Sequence, residues 1–556
     1  MTLVIFSMGD MLLHLYNRIS RRSEEYNFTD KVLLGISFLI VPLAIWSLWL
    51  PSNQYFLFIC IIVACLYWAL SFDRLRNVIK GMKDNLCGIS TFQITLLLLF
   101  IIFSLFFFSW EEYVYDSLFY HHQNIRWNEE FSVVPGLGNL DDRYAFNSNY
   151  FLLSAIFSLR FLFGSAIYGL QPFIVTCIGC WVLLRLFKSA YEIKYIIVFV
   201  SYILLYWVST YFLGNTSTDI LPNFIVFYLI ARIVLNPDYL KKNYLILISI
   251  PVFLLTCKLS LFPVCLISFY LLYNIIKGKQ YSILTFICIL STLIIVPWLI
   301  RNVILSGYLI YPLSQIDFFD FDWKIPQEVA IRQKEYIFDI GYYFFRIALR
   351  YPHLSIRDTL AVNILTDIIY ILAALSFAMA FYTLIKKKKT YTKQTYLLYT
   401  IFLLTIVVWA TGGPDIRFIS GILCAIIFIG TILFLVKKQI YLPSLGKGFV
   451  YIFMISIFCW GSSRYYTFDA GLKGSDILYK PLSIRDRIER QGNNLDSWFE
   501  TYQLNNNITI KLTSDLTYDI LPSRPNGHYS IFLPLQCLEA RGNTLQEGFR
   551  AKSECK

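Results

Sequence analysis

The sequence has 556 residues, of which 57% are apolar, 18% aromatic and only 15% charged. A soluble chain carries about a quarter charged residues, so this composition excludes a disordered protein, a nucleic-acid-binding module and a soluble enzyme with a membrane tail. The net charge of +12 does not restore a nucleic-acid reading, because the lysines and arginines sit in short turns between apolar runs, where they report membrane topology.

Apolar runs near membrane-crossing length fall at 31–50, 55–72, 91–110, 168–187, 193–212, 219–236, 243–257, 259–276, 282–300, 360–385, 395–411, 417–436 and 447–462. The N-terminal run 1–16 carries Asp10 and His14 and either crosses or lies in the interface, so thirteen or fourteen spans are expected. Residues 150–163 fit best as a helix lying on the outer membrane surface, because a crossing there would invert every later turn against its charges. The fold class is therefore an all-α polytopic membrane protein with a small extracytoplasmic α/β region at the C-terminus. Its parts are N-terminal spans (1–110), a first outer loop with amphipathic and surface helices (111–167), central spans (168–300), a second outer loop (301–357), C-terminal spans (358–462) and an outer tail (463–556).

Cations set the orientation. One set of turns holds Arg18, Arg21, Arg22; Arg74, Arg76, Lys80, Lys83; Arg185, Lys188, Lys194; Lys241, Lys242; Lys277, Lys279; the run Lys386 to Lys389 with Lys393; and Lys437, Lys438, Lys447. The turns 51–54 and 214–218 have none. The positive-inside rule puts the first set in the cytoplasm and the three long polar segments 111–149, 301–357 and 463–556 outside.

Just beyond the third span, EEYVYDSLFYHHQNIRWNEEF reads as an amphipathic helix. Tyr115, Leu118, Phe119, His122 and Ile125 share one face, and Asp116, Tyr120, Gln123 and Glu130 the other. A carboxylate among hydrogen-bonding groups at the mouth of a membrane cavity suits a general base, which singles out Asp116. Tyr120, His121 and Gln123 are the adjoining candidates for substrate binding. Capping of a solvated helix is the competing role for Asp116. Asp141 and Asp142, followed by Arg143, are possible acidic partners in the same loop, and a divalent ion is left open there.

Lys258, Arg301 and Arg417 stand at outer span ends, where the positive-inside rule does not expect them. Snorkelling explains each singly; an anionic ligand such as phosphate explains all three together. Cys177-x-x-Cys180 lies inside an apolar run and reads as packing. Cys537 and Cys555 are clear of the spans and could close a disulfide in an oxidising compartment.

These residues resemble the GT-C superfamily, polytopic glycosyltransferases that use polyprenyl-phosphate or polyprenyl-diphosphate donors. The carriers of the likeness are the acidic residue after an early span, the helix in a large first outer loop, and PWLIRNVILSGYLIYP, which is similar to the pattern P-W-x-x-R-N-x-x-x-[ST]-G-x-x-x-Y-P of many bacterial members. More closely, YDSLFYHHQNIRW, VPGLGNL, AFNSNYF, PDIRF and LEARGNTLQEGFR resemble a group of uncharacterised bacterial membrane proteins placed near it. The resemblance implies inverting sugar transfer at the outer face of a bacterial cytoplasmic membrane, from a polyprenyl-phosphate-linked sugar to a lipid or glycan acceptor. Asp116 is then the base, and the phosphate leaves toward Lys258, Arg301 or Arg417. The family's usual adjacent acidic pair is absent, since Ser117 follows Asp116, although Glu111 and Glu112 lie one turn earlier. The rival readings are a polysaccharide polymerase or ligase acting on a lipid-diphosphate glycan, and a transporter of lipid-linked glycan.

Overall fold

The computed structural model describes residues 1–22, 24, 26–108, 111, 113–350, 357–386, 393–435, 439–467, 484–490, 492–514, 516–526 and 532–555. Glu112, part of the second outer loop, most of the lysine run after Lys386, Lys437, Lys438 and the start of the tail lie outside these residues. Each of the apolar runs expected to cross is helical. Among the described residues, seven helices are long and apolar enough to cross a membrane, or eight if Gln54–Leu70 and Phe72–Leu86, bent by 93° at their junction, form one broken span. This is a multi-pass membrane protein.

Thr91–Phe108 has 18 residues, and four further expected spans are apolar helices of 14 to 16, such as Ile220–Leu235 and Tyr244–Cys257. At 1.5 Å per residue they reach only about 21–24 Å, short of a hydrocarbon core of about 30 Å. Of the thirteen or fourteen expected spans, helix length and composition alone support seven or eight among the described residues.

The N-terminal run forms Thr2–Ser20 and packs along Phe28–Trp46. The two helices cross at glycines: a Cβ on Gly9 would sit 1.8 Å from the Lys31 carbonyl oxygen, and one on Gly35 would sit 1.8 Å from that of Ile5. Asp10, buried in this contact, pairs with Lys31 at 2.8 Å and Arg74 at 2.6 Å. A buried carboxylate needs such partners. Phe28–Trp46 starts with a capping box, in which Asn27 and Asp30 satisfy each other's backbone N–H groups.

The expected surface helix is not on the surface. Asn149–Ile156 is buried along its whole length. Its Ser148 N-cap donates to the Cys257 carbonyl at 2.9 Å, and Asn149 donates to Thr256 Oγ1 at 2.8 Å. NYFLLSAI has only Asn149 and Ser154 as strongly polar residues, too few for a face in water, so the helix suits enclosure by protein. Only the next turn, Arg160–Phe163, exposes apolar residues, Phe161 and Leu162.

The three long polar segments come together on one side of the bundle. Trp127 and Leu140 of the first, Tyr308 and Ile325 of the second, and Ile510 and Phe549 of the tail share one apolar core. The tail carries β1 (Glu500–Gln503), β2 (Thr509–Thr513) and β3 (Ser523–Pro525) in the order β1-β2-β3, with β1 antiparallel and β3 parallel to β2. A separate antiparallel pair joins β4 (Leu538–Ala540) to β5 (Phe549–Ala551). The second pair docks by backbone: Phe549 N–H donates to the Pro135 carbonyl at 3.0 Å. Gly136 and Gly548 allow the approach, since a Cβ on either would meet the opposing carbonyl oxygen at 2.1 or 1.9 Å.

Cys537 and Cys555 are joined in a disulfide, with Cα atoms 5.8 Å apart and 18 positions between them in sequence. Closing that loop restricts the unfolded tail, so Cys537→Ser should destabilise the tail by about 3 kcal/mol. Limited proteolysis of the purified protein checks this. Equal resistance of variant and parent would show that the crosslink adds nothing.

Candidate functional site

Asp116 ends the segment after the helix Thr91–Phe108 and opens a single π-helical turn, Ser117–His121, before the α-helix His122–Glu130. The wider turn shifts the register, which is why the faces expected from 3.6-residue spacing do not hold. His121 comes to the Asp116 side: its Nδ1 lies 2.8 Å from the Thr216 carbonyl oxygen, which also accepts from Ser117 Oγ. Gln123 is turned away from Asp116 and binds the tail, donating to the Ile520 carbonyl at 2.6 Å and to Ser523 Oγ at 2.9 Å. The expected grouping of Gln123 with Asp116 is corrected: Gln123 is fully buried between loop and tail.

Asp116 holds two arginines. Its Oδ2 accepts from Arg417 at 2.9 Å, and its Oδ1 lies 3.5 Å from an Arg143 nitrogen. Arg417 is fixed in turn by Asp415, whose carboxylate accepts from its backbone N–H at 2.9 Å and its Nε at 2.7 Å. Asn223 donates to the Arg417 carbonyl at 2.6 Å and so pins the PDIRF loop to the helix Ile220–Leu235. Lys258 pairs with Asp219, the residue before that helix, and its Nζ lies 3.8 Å from the centroid of the Phe418 ring. Arg417 borders the same ring. The Arg143 guanidinium packs over Phe119 at 4.8 Å and over Tyr120 and Tyr336 at 5.2 Å each. Tyr120 is thus next to the cluster, between Arg143 and the ring of His121.

Three cations from three separate loops therefore meet three carboxylates, and the cluster is electrically balanced among the described residues. The Asp116 side chain keeps 27% of its surface exposed, and those of Lys258 and Arg417 21% each. Burial pushes the Asp116 carboxyl up, but Arg417 and Arg143 outweigh it and hold the group down at about 2. Asp116 is an anion at any physiological pH.

Arg301 stands apart, which corrects the expected convergence of three cations. It is 2% exposed and donates to Ser47 Oγ at 2.7 Å, Asn128 Oδ1 at 2.7 Å and Asn147 Oδ1 at 3.2 Å. Trp298 and Asn147 exchange hydrogen bonds beside it, at 2.6 and 2.8 Å. The cavity it borders measures about 10 Å³, room for a water and not for a phosphate. The P-W-x-x-R-N stretch thus clamps the first outer loop onto the helix ends.

Asp141 and Asp142 lie close to the cluster but deeper, 1% and 2% exposed. Asp141 accepts from the Arg143 backbone N–H at 2.9 Å, while neither carboxylate oxygen of Asp142 has a hydrogen-bond partner among the described residues. Burial raises both carboxyls, and Asp141 raises that of Asp142 further. No group of three or more His, Cys, Asp or Glu side chains placed to hold a metal ion occurs among the described residues.

His121 and His122 are also buried, and burial lowers their imidazoles to about 4 and about 3 from an ordinary 6.5. His122 stacks on Tyr168, with Nε2 3.1 Å from Glu111 Oε1, and stays neutral. Both folded values lie below the unfolded one, so their contribution to stability is complete above pH 6.5. It is lost as pH falls toward 4, on the order of 3 kcal/mol for each ring. Thermal unfolding in detergent at pH 7.5 and pH 4.5 checks this, and a double His121→Phe, His122→Phe variant should flatten the acid limb.

A family model described as a domain of unknown function (DUF8201) matches residues 1–424. The chain belongs to this family. No curated protein and no solved structure matches it. The DUF8201 match includes Asp116, Arg143, Asp219, Lys258, Asp415 and Arg417, so the whole ionic cluster belongs to the family region, whereas the tail lies beyond it. Sequence reasoning missed Asp219 and the reach of Arg143 to Asp116. An acidic residue opening the helix after the uncharged outer turn 214–218 was the available signal for Asp219; nothing in the sequence pointed to the contact made by Arg143.

Proposed function

We propose that this chain is a membrane glycosyltransferase that moves a sugar from a polyprenyl-phosphate-linked donor to a lipid or glycan acceptor. The reaction takes place at the outer face of a bacterial cytoplasmic membrane. The observation that carries the reading is the partly open Asp116 carboxylate held against Arg417, with Lys258 on the same Phe418 ring. The charge pattern of the turns supports the side.

In the transfer, the acceptor O–H gives its proton to Asp116 as its oxygen bonds to the anomeric carbon. The bond from that carbon to phosphate oxygen breaks, and polyprenyl phosphate leaves with one more negative charge than it had in the donor. Lys258 and Arg417 meet that charge, which is where preorganised cations contribute most. With both arginines on it Asp116 is a poor base. A donor phosphate competing for Arg417 loosens that pair and raises the basicity of Asp116 as the site fills. Mass spectrometry of lipid copurifying with the protein tests the reading. A glycosylated polyprenyl phosphate, enriched in Asp116→Asn, is expected; a diphosphate-linked oligosaccharide would instead mark a polymerase.

A further inference from the structure

At the opposite end of the helices that carry the Asp116 cluster lies a cavity of about 620 Å³. Ile220–Leu235 begins beside Asp219 of the cluster and ends beside Asn236 of the cavity, 16 residues or about 24 Å away. Phe28–Trp46 likewise runs from Asn27, in the cavity wall, to the Ser47 that holds Arg301.

Five cations line the cavity, Arg22, Arg185, Arg232, Lys241 and Lys242, against the single carboxylate of Glu24 among the described residues. Three of them are already engaged. Arg232 donates to Asp30 at 2.8 Å and lies over the Tyr239 ring at 4.3 Å. Arg22 donates to Gln280 at 2.9 Å, lies over the Tyr244 ring at 4.6 Å and approaches Glu24 at 3.6 Å. Lys241 donates to Asp238 at 3.1 Å. Arg185 and Lys242 have no acidic or hydrogen-bonding partner among the described residues. Asn27, Asn85, Asn236 and Asn243 add neutral amide groups to the wall.

Membrane topology asks only that such turns be cationic. It does not ask that cations from three separate turns enclose one cavity, with two arginines braced on aromatic rings and two further cations without a counter-charge among the described residues. Like charges gathered in a concave, partly shielded space repel more strongly than on an open surface, and an anion between them relieves that repulsion. We infer that this cavity is a second binding site, for a doubly charged phosphate anion. Arg185 and Lys242 supply the unpaired charges, a guanidinium fork and a point charge respectively, and the asparagines complete the hydrogen bonding. The volume falls within the range of small-ligand sites. The phosphate comes either from a lipid headgroup in the adjoining leaflet or from a soluble diphosphate, and both present the same group.

The test uses the full chain and a double variant, Arg185→Gln with Lys242→Gln, which removes no partnered side chain and should unfold at the parent temperature. Two probes are applied: inorganic pyrophosphate, followed by calorimetry in detergent, and phosphatidic acid, followed by native mass spectrometry from nanodiscs with phosphatidylcholine as the comparison lipid. At least one probe should bind the parent saturably and lose tenfold or more in affinity in the double variant, while keeping its affinity in Lys258→Ala. Pyrophosphate binding identifies a soluble ligand, and retention of phosphatidic acid alone identifies a lipid. Binding of neither probe, or binding unchanged in the double variant, overturns the inference. Loss in Lys258→Ala instead would place the anion at the Asp116 cluster and also overturn it.

Discussion

Sugar transfer from a polyprenyl-phosphate donor should fall by roughly two to four orders of magnitude in Asp116→Asn, with folding and donor binding retained. Asparagine keeps the shape and one acceptor oxygen for Arg417, which also keeps Asp415. A pair with Asp116 27% exposed contributes about 1 kcal/mol or less to stability. What asparagine cannot do is take the acceptor's proton. Lys258→Ala should behave differently, weakening donor binding and slowing transfer together, because the leaving phosphate binds there in both ground and transition states. If Asp116→Asn transfers sugar at near the parental rate, Asp116 only orders Arg417 and Arg143.

The largest effect on stability is expected at the other end of the bundle, at Asp30. This carboxylate is fully buried and accepts from Arg232 at 2.8 Å, Tyr228 at 2.7 Å and Tyr239 at 2.9 Å. Asp30→Ala leaves Arg232 buried without its counterion, an arrangement that costs about 3–5 kcal/mol. A variant that also replaces Arg232, Asp30→Leu with Arg232→Met, should recover most of the loss, since removing both charges together removes the desolvation penalty. Thermal unfolding of the three proteins in detergent decides it. The consequence extends to function, because Asp30 ties Phe28–Trp46 to Ile220–Leu235; the far end of the first leads to Ser47, which holds Arg301, and that of the second follows directly on Lys258's partner Asp219. A single variant as stable as the parent would show that Arg232 finds water or another anion.

The helical segments were legible in the sequence because a lipid-facing helix must be apolar over nearly its whole length. Every run of that kind is a helix. Helix length alone does not give their number as crossings, because an apolar run buried in protein looks the same as one buried in lipid. Asn149–Ile156 shows the ambiguity at its sharpest: charge arithmetic argues against a crossing there, and the helix is enclosed by protein rather than lying on a surface. The gathering of the three polar segments on one side follows from the alternation of cationic turns, and their common core agrees with it.

At the site, Arg417 was visible as a cation at an outer span end and Asp116 as a carboxylate in the amphipathic loop segment, and they touch. Gln123 was misplaced by one feature with no sequence mark, the π turn that rotates the loop helix after Ser117. Arg301 was visible for the same reason as Arg417, but position at a span end does not reveal whether a guanidinium faces a ligand or three neutral side-chain oxygens. Such distinctions depend on contacts between segments more than a hundred residues apart, as between Arg301 and both Ser47 and Asn128.

The central claim is that the Asp116 cluster performs transfer from a phosphate-linked lipid donor. Its most direct test is release of polyprenyl phosphate from a glycosylated polyprenyl phosphate by the purified protein in liposomes, measured side by side for the parent, Asp116→Asn and Lys258→Ala. The account predicts acceptor-dependent release by the parent, near-complete loss in Asp116→Asn with the donor still bound, and loss of both binding and release in Lys258→Ala. Donor that binds neither the parent nor the variants, or release that is the same in all three, would contradict it.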